Sequence, residues 1–190
     1  MKGDYWLFFN QVLEPSWCDY IVDYCTENYK PKDAVIGFED AKHDDTYRKS
    51  EIRWLNPKSE KAIVDEIWYY ANQVNRDSFD LDLRYVNEIQ FTKYIGDPEA
   101  PGKYDWHHDV DWAESRGFHR KLSIVFQLTD RSEYEGGEFE FDPTLPQLPE
   151  DALQKGSVIV FPSFHRHRVL PVTSGIRHSL VTWVEGPHWR

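Results

Sequence analysis

The 190-residue sequence has little cysteine and little positive charge. Its two cysteines, Cys18 and Cys25, are seven residues apart in a stretch with helical periodicity. Their Cα atoms would then be about 10.5 Å apart, too far for a disulfide, so both are expected to be reduced, as in cytoplasmic proteins. The 33 acidic residues outnumber the 22 lysines and arginines, for a net charge of −11. That balance disfavours a nucleic-acid backbone or an anionic membrane as the main partner.

Long hydrophobic runs are also missing. The opening segment has only four consecutive apolar residues, Trp6 to Phe9, far fewer than a signal peptide or a membrane span requires. We therefore expect a cytoplasmic location and no membrane partner. Hydrophobic residues make up 40% of the chain, and this content is typical of a folded globular protein. The length and uniform composition indicate one domain over residues 1–190, and no feature specifies an oligomeric state.

The first 80 residues are predicted to form a helical support. Residues 13–29 have helical periodicity, with Pro15 at a position that a first turn tolerates. Residues 57–75 carry a second apolar stripe of the same period. The stripes consist of Trp17, Ile21 and Cys25 in the first segment and Ile63, Ile67, Tyr70 and Val74 in the second. Residues 31–50 are polar and aperiodic, which predicts a long loop.

From residue 81 to residue 190 the sequence is rich in short segments of β character. Clusters of Gly, Pro and Asp separate the runs YVNEIQFTKYI, RKLSIVFQL, GEFEF, GSVIVF and HSLVTWV. In the second run, apolar residues at the even positions from Leu122 to Leu128 alternate with Ser123, Val125 and Gln127, as in a strand with one buried face. Many short strands without intervening helices predict a mostly β fold, either a sandwich, a jelly roll or a barrel.

The segment YDWHHDVDW, residues 104–112, has side chains suited to a metal site. In an extended chain His107 and Asp109 face the same side. Two histidines plus one carboxylate, with open positions, form the facial triad of non-haem Fe(II) oxygenases. Asp111 is an alternative carboxylate, although its pairing with Asp109 would suit calcium better. Alternatively, so short a motif is a solvent-exposed edge of the fold that binds no metal.

A further ligand is expected from the segment FPSFHRHRVLPVTSGIRHSL, residues 161–180. It offers His165, His167 and His178, and the first two share a strand face. Arg177 follows in the same segment, and its guanidinium is suited to bidentate capture of a carboxylate. That carboxylate could belong to a ligand or to an acidic residue of the protein.

Together these motifs resemble the 2-oxoglutarate and Fe(II)-dependent dioxygenases of the prolyl hydroxylase type. The similar runs, over residues 85–187, are QFTKY, GKYDWHHD, RKLSIVFQL, YEGGEFEF and KGSVIVFPSFHRHRVLPVTSGIRHSLVTW. The resemblance implies a double-stranded β-helix, a cupin-like jelly roll, with Fe(II) held by His107, Asp109 and His167. It favours His167 over His165 because the run HRVLPVTSGIR begins at His167. It also implies that Arg177 binds the distal carboxylate of 2-oxoglutarate.

Further site residues follow from the resemblance alone. The residues implied to hold 2-oxoglutarate beside Arg177 are Tyr94, Gln127, Ser179 and Trp183. The residues implied on the substrate side are Tyr104, Arg120 and His165. Gly136 and Gly137 are expected to form a tight turn or a bulge.

The implied reaction uses O₂ to hydroxylate a C–H bond while 2-oxoglutarate becomes succinate and CO₂, with ascorbate as a further candidate cofactor. The implied substrate is a proline side chain in a peptide or protein, and a free amino acid or small metabolite is an alternative. Asp109 favours hydroxylation, because related halogenases lack that carboxylate. Trp183 stands where related nucleic-acid demethylases have a second arginine, which disfavours a demethylase. A non-catalytic metal-binding jelly roll is the alternative from another class. Substrate recognition is expected to fall to the loops at residues 31–50, 97–103 and 142–155.

Overall fold

The computed structural model describes residues 4–35 and 42–189. Helix α1 spans Pro15–Asn28, and helix α2 spans Lys61–Val74 and continues into a π-helical turn over Asn75–Phe79. Pro15 lies in the first turn of α1, where its missing N–H removes no helical hydrogen bond. Both predicted helices are confirmed. Within the described residues, no helix has the length and apolar character needed to cross a bilayer.

The described residues form eleven β-strands. Their bounds are β1 Leu7–Phe9, β2 Lys32–Asp33, β3 Arg48–Lys49, β4 Glu51–Leu55, β5 Tyr85–Ile95, β6 Gly102–His107, β7 Phe118–Gln127, β8 Tyr134–Gly136, β9 Phe139–Phe141, β10 Val158–Pro162 and β11 His167–Pro187. Strands β1 to β4 correct the expectation that residues 1–80 hold only helices and a loop. They are two to five residues long, too short for a clear alternating pattern. Residues 36–41 of the predicted loop lie outside the described residues.

The strands form two antiparallel sheets that share β11. The larger sheet has the order β1-β10-β7-β11-β5-β4-β2, and in the smaller sheet β6 pairs with β3 and β11, while β8 and β9 also pair with β11. The first half of β11 belongs to the smaller sheet, and the part from Ile176 onward belongs to the larger one. Gly175 makes the crossing, with a φ of 72°. A Cβ there would lie 2.0 Å from the carbonyl oxygen of Glu133, so only glycine fits. The predicted mostly β jelly roll is confirmed.

The two faces of β7 serve different parts of the molecule, as its alternation predicted. Leu122, Ile124 and Phe126 pack with the buried stripes of α1 and α2 in the main core cluster. Burying each such side chain contributes about 1.5–3 kcal/mol. On the opposite face, Val125 joins a second cluster with residues such as Phe161 from β10. The candidate site borders this second cluster.

Candidate metal and co-substrate site

The three residues predicted to bind a metal converge on one point. His107 ends β6, Asp109 lies two residues beyond it, and His167 begins β11. The Nε2 atoms of His107 and His167 lie 3.7 Å from Oδ1 and Oδ2 of Asp109, respectively. The candidate ligand atoms all lie within 4.8 Å of one another. The three side chains could therefore hold one metal ion.

Hydrogen bonds determine which nitrogen of each imidazole is available to a metal. Nδ1 of His107 lies 2.7 Å from the carbonyl oxygen of Asp105, and Nδ1 of His167 lies 2.9 Å from that of His165. Because a carbonyl oxygen only accepts, Nδ1 carries the hydrogen and Nε2 presents a lone pair in both rings. Burial, and then the neighbouring His167, holds the pKa of His107 well below its ordinary value, so His107 is neutral at pH 7.

Asp109 is oriented by two serines. Oγ of Ser123 donates a hydrogen bond of 2.6 Å to Oδ2 of Asp109, and the Asp109 N–H donates to the carbonyl oxygen of Ser163 at 2.9 Å. Burial alone would raise the pKa of Asp109, but His167, His107, Arg120 and the hydrogen bond from Ser123 together lower it to about 2. Since β6 ends at His107, these hydrogen bonds, rather than strand alternation, bring the carboxylate beside the imidazoles.

Replacing Ser123 with alanine should weaken metal binding without removing a ligand. Loss of a hydrogen bond that orients a metal ligand typically lowers affinity about 10- to 100-fold. Competition between the protein and a chelator for Mn(II) measures the change. Ser157→Ala is the matched control, because Ser157 is also buried but bonds to Gln11 and Asp151. Equal affinity in Ser123→Ala and the wild type would show that Ser123 does not support the ligand.

The triad lies in a cavity of about 520 Å³ lined by residues of both sheets. The other predicted site residues that line it are Tyr94, Tyr104, Arg120, Arg177, Ser179 and Trp183. Gln127 contributes indirectly, because its Oε1 accepts a hydrogen bond of 2.9 Å from Nη2 of Arg177. The structure therefore brings nearly all of the predicted site residues together.

Arg177 has the properties of an anion-binding residue. It is 1% exposed, and among the described residues no carboxylate lies within 4.0 Å of it, so the alternative of a pairing with a protein acid has no support there. Within the same residues, Nε of Arg177 and Nε2 of Gln127 are buried without a hydrogen-bond partner. A buried donor left unpaired costs about 1–3 kcal/mol, and more if it is charged. A carboxylate ligand would satisfy these donors, so this part of the cavity fits 2-oxoglutarate.

A pair of glycines makes room for the Arg177 side chain. Gly136 and Gly137 have φ angles of 72° and 68° at the junction of β8 and β9, which both pair with β11, so of the predicted turn or bulge the structure has the bulge. A Cβ on Gly137 would lie 2.8 Å from Cγ2 of Val172 and 3.2 Å from Cδ of Arg177. A larger residue at position 137 would therefore displace the guanidinium.

Three of the predicted or alternative ligands lie apart from the triad. The His165 imidazole does not line the cavity but packs against Phe164, with ring centroids 4.7 Å apart. Burial, and then the neighbouring His167, lowers the pKa of His165 to about 4. Only the backbone carbonyl of His165 serves the site, through His167. Nδ1 of His178 lies 3.2 Å from Oγ1 of Thr129, on the other face of the sheet from Arg177. The Oδ1 atom of Asp111 accepts a hydrogen bond from the N–H of Ala113.

One wall of the cavity is built by an arginine and a tryptophan. The Arg120 guanidinium lies 3.7 Å from the ring centre of Trp183 and also pairs with Glu88. Trp54 lies beside Trp183, with ring centroids 6.2 Å apart. Glu88 and Arg120 line the cavity together with Trp54 and Trp183, so this wall combines aromatic rings with an ion pair.

Arg48 is a cavity residue that the sequence did not predict. This residue lies in the predicted loop at residues 31–50, and of the three predicted recognition loops only this one lines the cavity among the described residues. It belongs to β3, where it pairs with Tyr104 of β6. A two-residue strand has no recognisable period, and its partner lies 56 positions later, so no local signal could have placed it.

Comparisons with known proteins place the chain among oxygenases. Residues 89–185 match the family model of the 2OG-Fe(II) oxygenase superfamily. A PKHD-type hydroxylase of Synechococcus sp. (strain CC9311) is 41% identical over 91 residues, which are 48% of this chain and 40% of that protein. The match thus spans less than half of that relative's length.

Two solved structures are similar in fold. A Pseudomonas putida prolyl-4-hydroxylase has a TM-score of 0.71 at 19% identity, over 98% of this chain and 95% of that chain. A prolyl hydroxylase in complex with a hypoxia inducible factor oxygen degradation domain peptide fragment, from Trichoplax adhaerens, has a TM-score of 0.72 at 14% identity, over 96% and 84% of the two chains. At these identities the similarity shows the fold alone.

Proposed function

This chain belongs to the 2OG-Fe(II) oxygenase superfamily, and we propose that it hydroxylates a proline side chain in a peptide or protein. The observation that carries the proposal is the buried Arg177, free of protein carboxylates among the described residues, in the same cavity as the His-Asp-His triad. When bound, Fe(II) and 2-oxoglutarate would supply the oxidising chemistry with O₂, and succinate and CO₂ would be the co-products.

The triad would hold Fe(II) through two neutral imidazoles and one carboxylate. His107 and His167 present Nε2 lone pairs, and Asp109 is charged at neutral pH. Three protein ligands leave positions open for other ligands, whereas a structural zinc site is closed by a fourth. Within the described residues, the cluster of candidate ligands has three members and no fourth, which favours an enzyme over a non-catalytic module.

Arg177 would bind the distal carboxylate of 2-oxoglutarate and so orient the co-substrate. Gln127 fixes the guanidinium through Oε1 and leaves its own Nε2 free to donate. Tyr94 on the neighbouring strand β5, whose ring centre lies 5.4 Å from the guanidinium carbon, and Ser179 on β11 itself offer hydroxyl groups. Apolar residues of the same cavity, such as Val181, would exclude water from this end.

Proline is the substrate residue that the cavity and the comparisons support best. Trp54, Trp106 and Trp183 line the cavity, and aromatic surfaces of this kind pack well against proline rings. The solved structures with a similar fold include a prolyl-4-hydroxylase and a prolyl hydroxylase with a bound peptide. A free amino acid or a small metabolite is the alternative substrate.

Mass spectrometry tests the proposal directly. The protein is incubated with Fe(II), 2-oxoglutarate, O₂ and a panel of proline-containing peptides and free amino acids, and Asp109→Ala serves as the inactive control. We expect a peptide to gain one oxygen atom on proline, with an equal amount of succinate formed. Oxygen incorporation only into a free amino acid would replace the peptide assignment. No incorporation into any of them, with no stimulation of succinate formation, would contradict the proposal.

A further inference from the structure

Within residues 4–35 and 42–189, Arg48 is the second buried arginine of the cavity without a carboxylate partner. Of the ten arginines in the described residues, eight lie within 4.0 Å of a carboxylate oxygen. The two exceptions, Arg48 and Arg177, are 7% and 1% exposed, and both line the cavity. A buried guanidinium without a counter-charge is destabilising. Two such groups in one cavity indicate two anionic ligands.

The hydrogen-bond partners of Arg48 are all neutral. Nη2 donates to Oε1 of Gln90 at 2.7 Å, Nε donates to Oγ of Ser50 at 3.3 Å, and Nη1 donates to the carbonyl oxygen of Val35 at 3.5 Å. These bonds orient the guanidinium and use three of its five N–H groups, which leaves two for a ligand. Gln90 is the neutral isostere of glutamate, so the nearest acceptor holds the group in place without cancelling its charge.

Tyr104 links Arg48 to the metal site. The ring of Tyr104 stacks on His107, with centroids 3.5 Å apart and an angle of 13° between the planes. The guanidinium carbon of Arg48 lies 4.2 Å from the same ring centre. Because His107 covers one face of the ring, Arg48 lies over the other. Arg177 instead lies against Gln127 of the larger sheet, so the two cations belong to different strands and have different partners.

We propose that Arg48 binds a carboxylate of the substrate, close to the residue that is oxidised. The inference rests on the proposed function, in which the carboxylate of 2-oxoglutarate occupies Arg177. The carboxylate for Arg48 is that of an Asp or Glu next to the target proline, or the terminal carboxylate of a peptide or free amino acid. Since the chain carries a net charge of −11, an acidic substrate needs such a local cation to bind.

Matched pairs of compounds, each an acid and its amide, test whether the protein binds a substrate carboxylate. The protein is loaded with Mn(II) and 2-oxoglutarate without O₂ and titrated calorimetrically with blocked Ala-Pro-Glu-Ala and Glu-Pro-Ala-Ala peptides, their Gln counterparts, free proline and prolinamide. We expect an acidic compound to bind about 10- to 100-fold more tightly than its amide. The pair with the larger ratio identifies a side-chain or a terminal carboxylate as the source.

Two variants assign this preference to Arg48. Arg48→Gln should bind each acid and its amide equally. Gln90→Glu should do the same while keeping the arginine, because it puts a carboxylate where Oε1 now lies 2.7 Å from Nη2. This second variant covers the case in which Arg48→Gln fails to fold. Arg131→Gln is the control, because Arg131 already pairs with Glu138 and does not line the cavity. It should keep the preference of the wild type.

Several results would overturn the inference. One is that the wild type shows no preference for an acid over its amide, either because both bind equally or because neither binds. Another is an unchanged preference in Arg48→Gln and Gln90→Glu. A third is a loss of 2-oxoglutarate affinity in Arg48→Gln as large as that in Arg177→Ala, because Arg48 would then serve the co-substrate. Hydroxylation of a neutral proline peptide alongside any of these results would leave the proposed function intact.

Discussion

Replacing His107, Asp109 or His167 with alanine, one residue at a time, is expected to abolish metal binding and turnover. Each change leaves two protein donors at a position where the structure offers three within 4.8 Å. Two protein donors bind a divalent ion more weakly than three, so we expect the variants to retain no Fe(II) or Mn(II) at micromolar concentration. Electron paramagnetic resonance of added Mn(II) measures binding, and succinate formation measures turnover, so the two losses are observed independently.

His165→Ala is the matched control for this experiment. His165 lies two residues before His167, but its imidazole packs against Phe164 outside the cavity lining. Its contribution to the site is a backbone carbonyl that accepts from His167, and the substitution preserves that carbonyl. We therefore expect the variant to bind Mn(II) normally. Loss of the metal in His165→Ala and its retention in His167→Ala would show that the ligand is misassigned.

Elements with a long regular pattern could be predicted from the sequence. The stripe that includes Ile63 and Ile67 predicted α2, and the run YVNEIQFTKYI coincides with β5. Helix α2 buries one continuous stripe, so its period is visible in the sequence itself, whereas β5 is recognisable from its β-branched and aromatic residues, since both of its faces are buried at Ile89–Thr92. The alternation from Leu122 to Gln127 even separated the core face of β7 from the site face. His167 and Arg177 lie on one strand, β11, so the motif that contains both could be recognised within one continuous stretch of sequence.

The parts that could not be predicted depend on contacts between distant segments. Ser123 supports Asp109 across 14 positions, and Arg48 meets Gln90 across 42 positions. Neither contact leaves a local pattern, because the partners are brought together only when the sheets form. The sequence predicted the position of Asp109 from strand alternation, but another cause places it beside the histidines. The strand ends at His107, and backbone and serine hydrogen bonds then place the carboxylate.

Arg177→Ala is expected to lose most of its affinity for 2-oxoglutarate. The side chain is 1% exposed, so its hydrogen bonds to a carboxylate would be made largely out of water. Truncating one partner of such a buried, charge-assisted pair costs on the order of 2–5 kcal/mol. That range corresponds to roughly a thirtyfold to several-thousandfold loss of affinity. Calorimetric titration of 2-oxoglutarate into the Mn(II) protein without O₂ measures it.

Arg177→Lys separates the charge of this residue from its shape. Lysine keeps the positive charge but lacks the planar fork, so its affinity for 2-oxoglutarate should lie between those of the wild type and Arg177→Ala. Affinity for Mn(II) should stay close to that of the wild type in both variants, because Arg177 is not among the candidate ligands. A parallel loss of metal would point to a folding defect instead. Equal 2-oxoglutarate affinity in all three proteins would mean that the unpaired Nε of Arg177 and Nε2 of Gln127 await some other ligand, and the co-substrate assignment would be wrong.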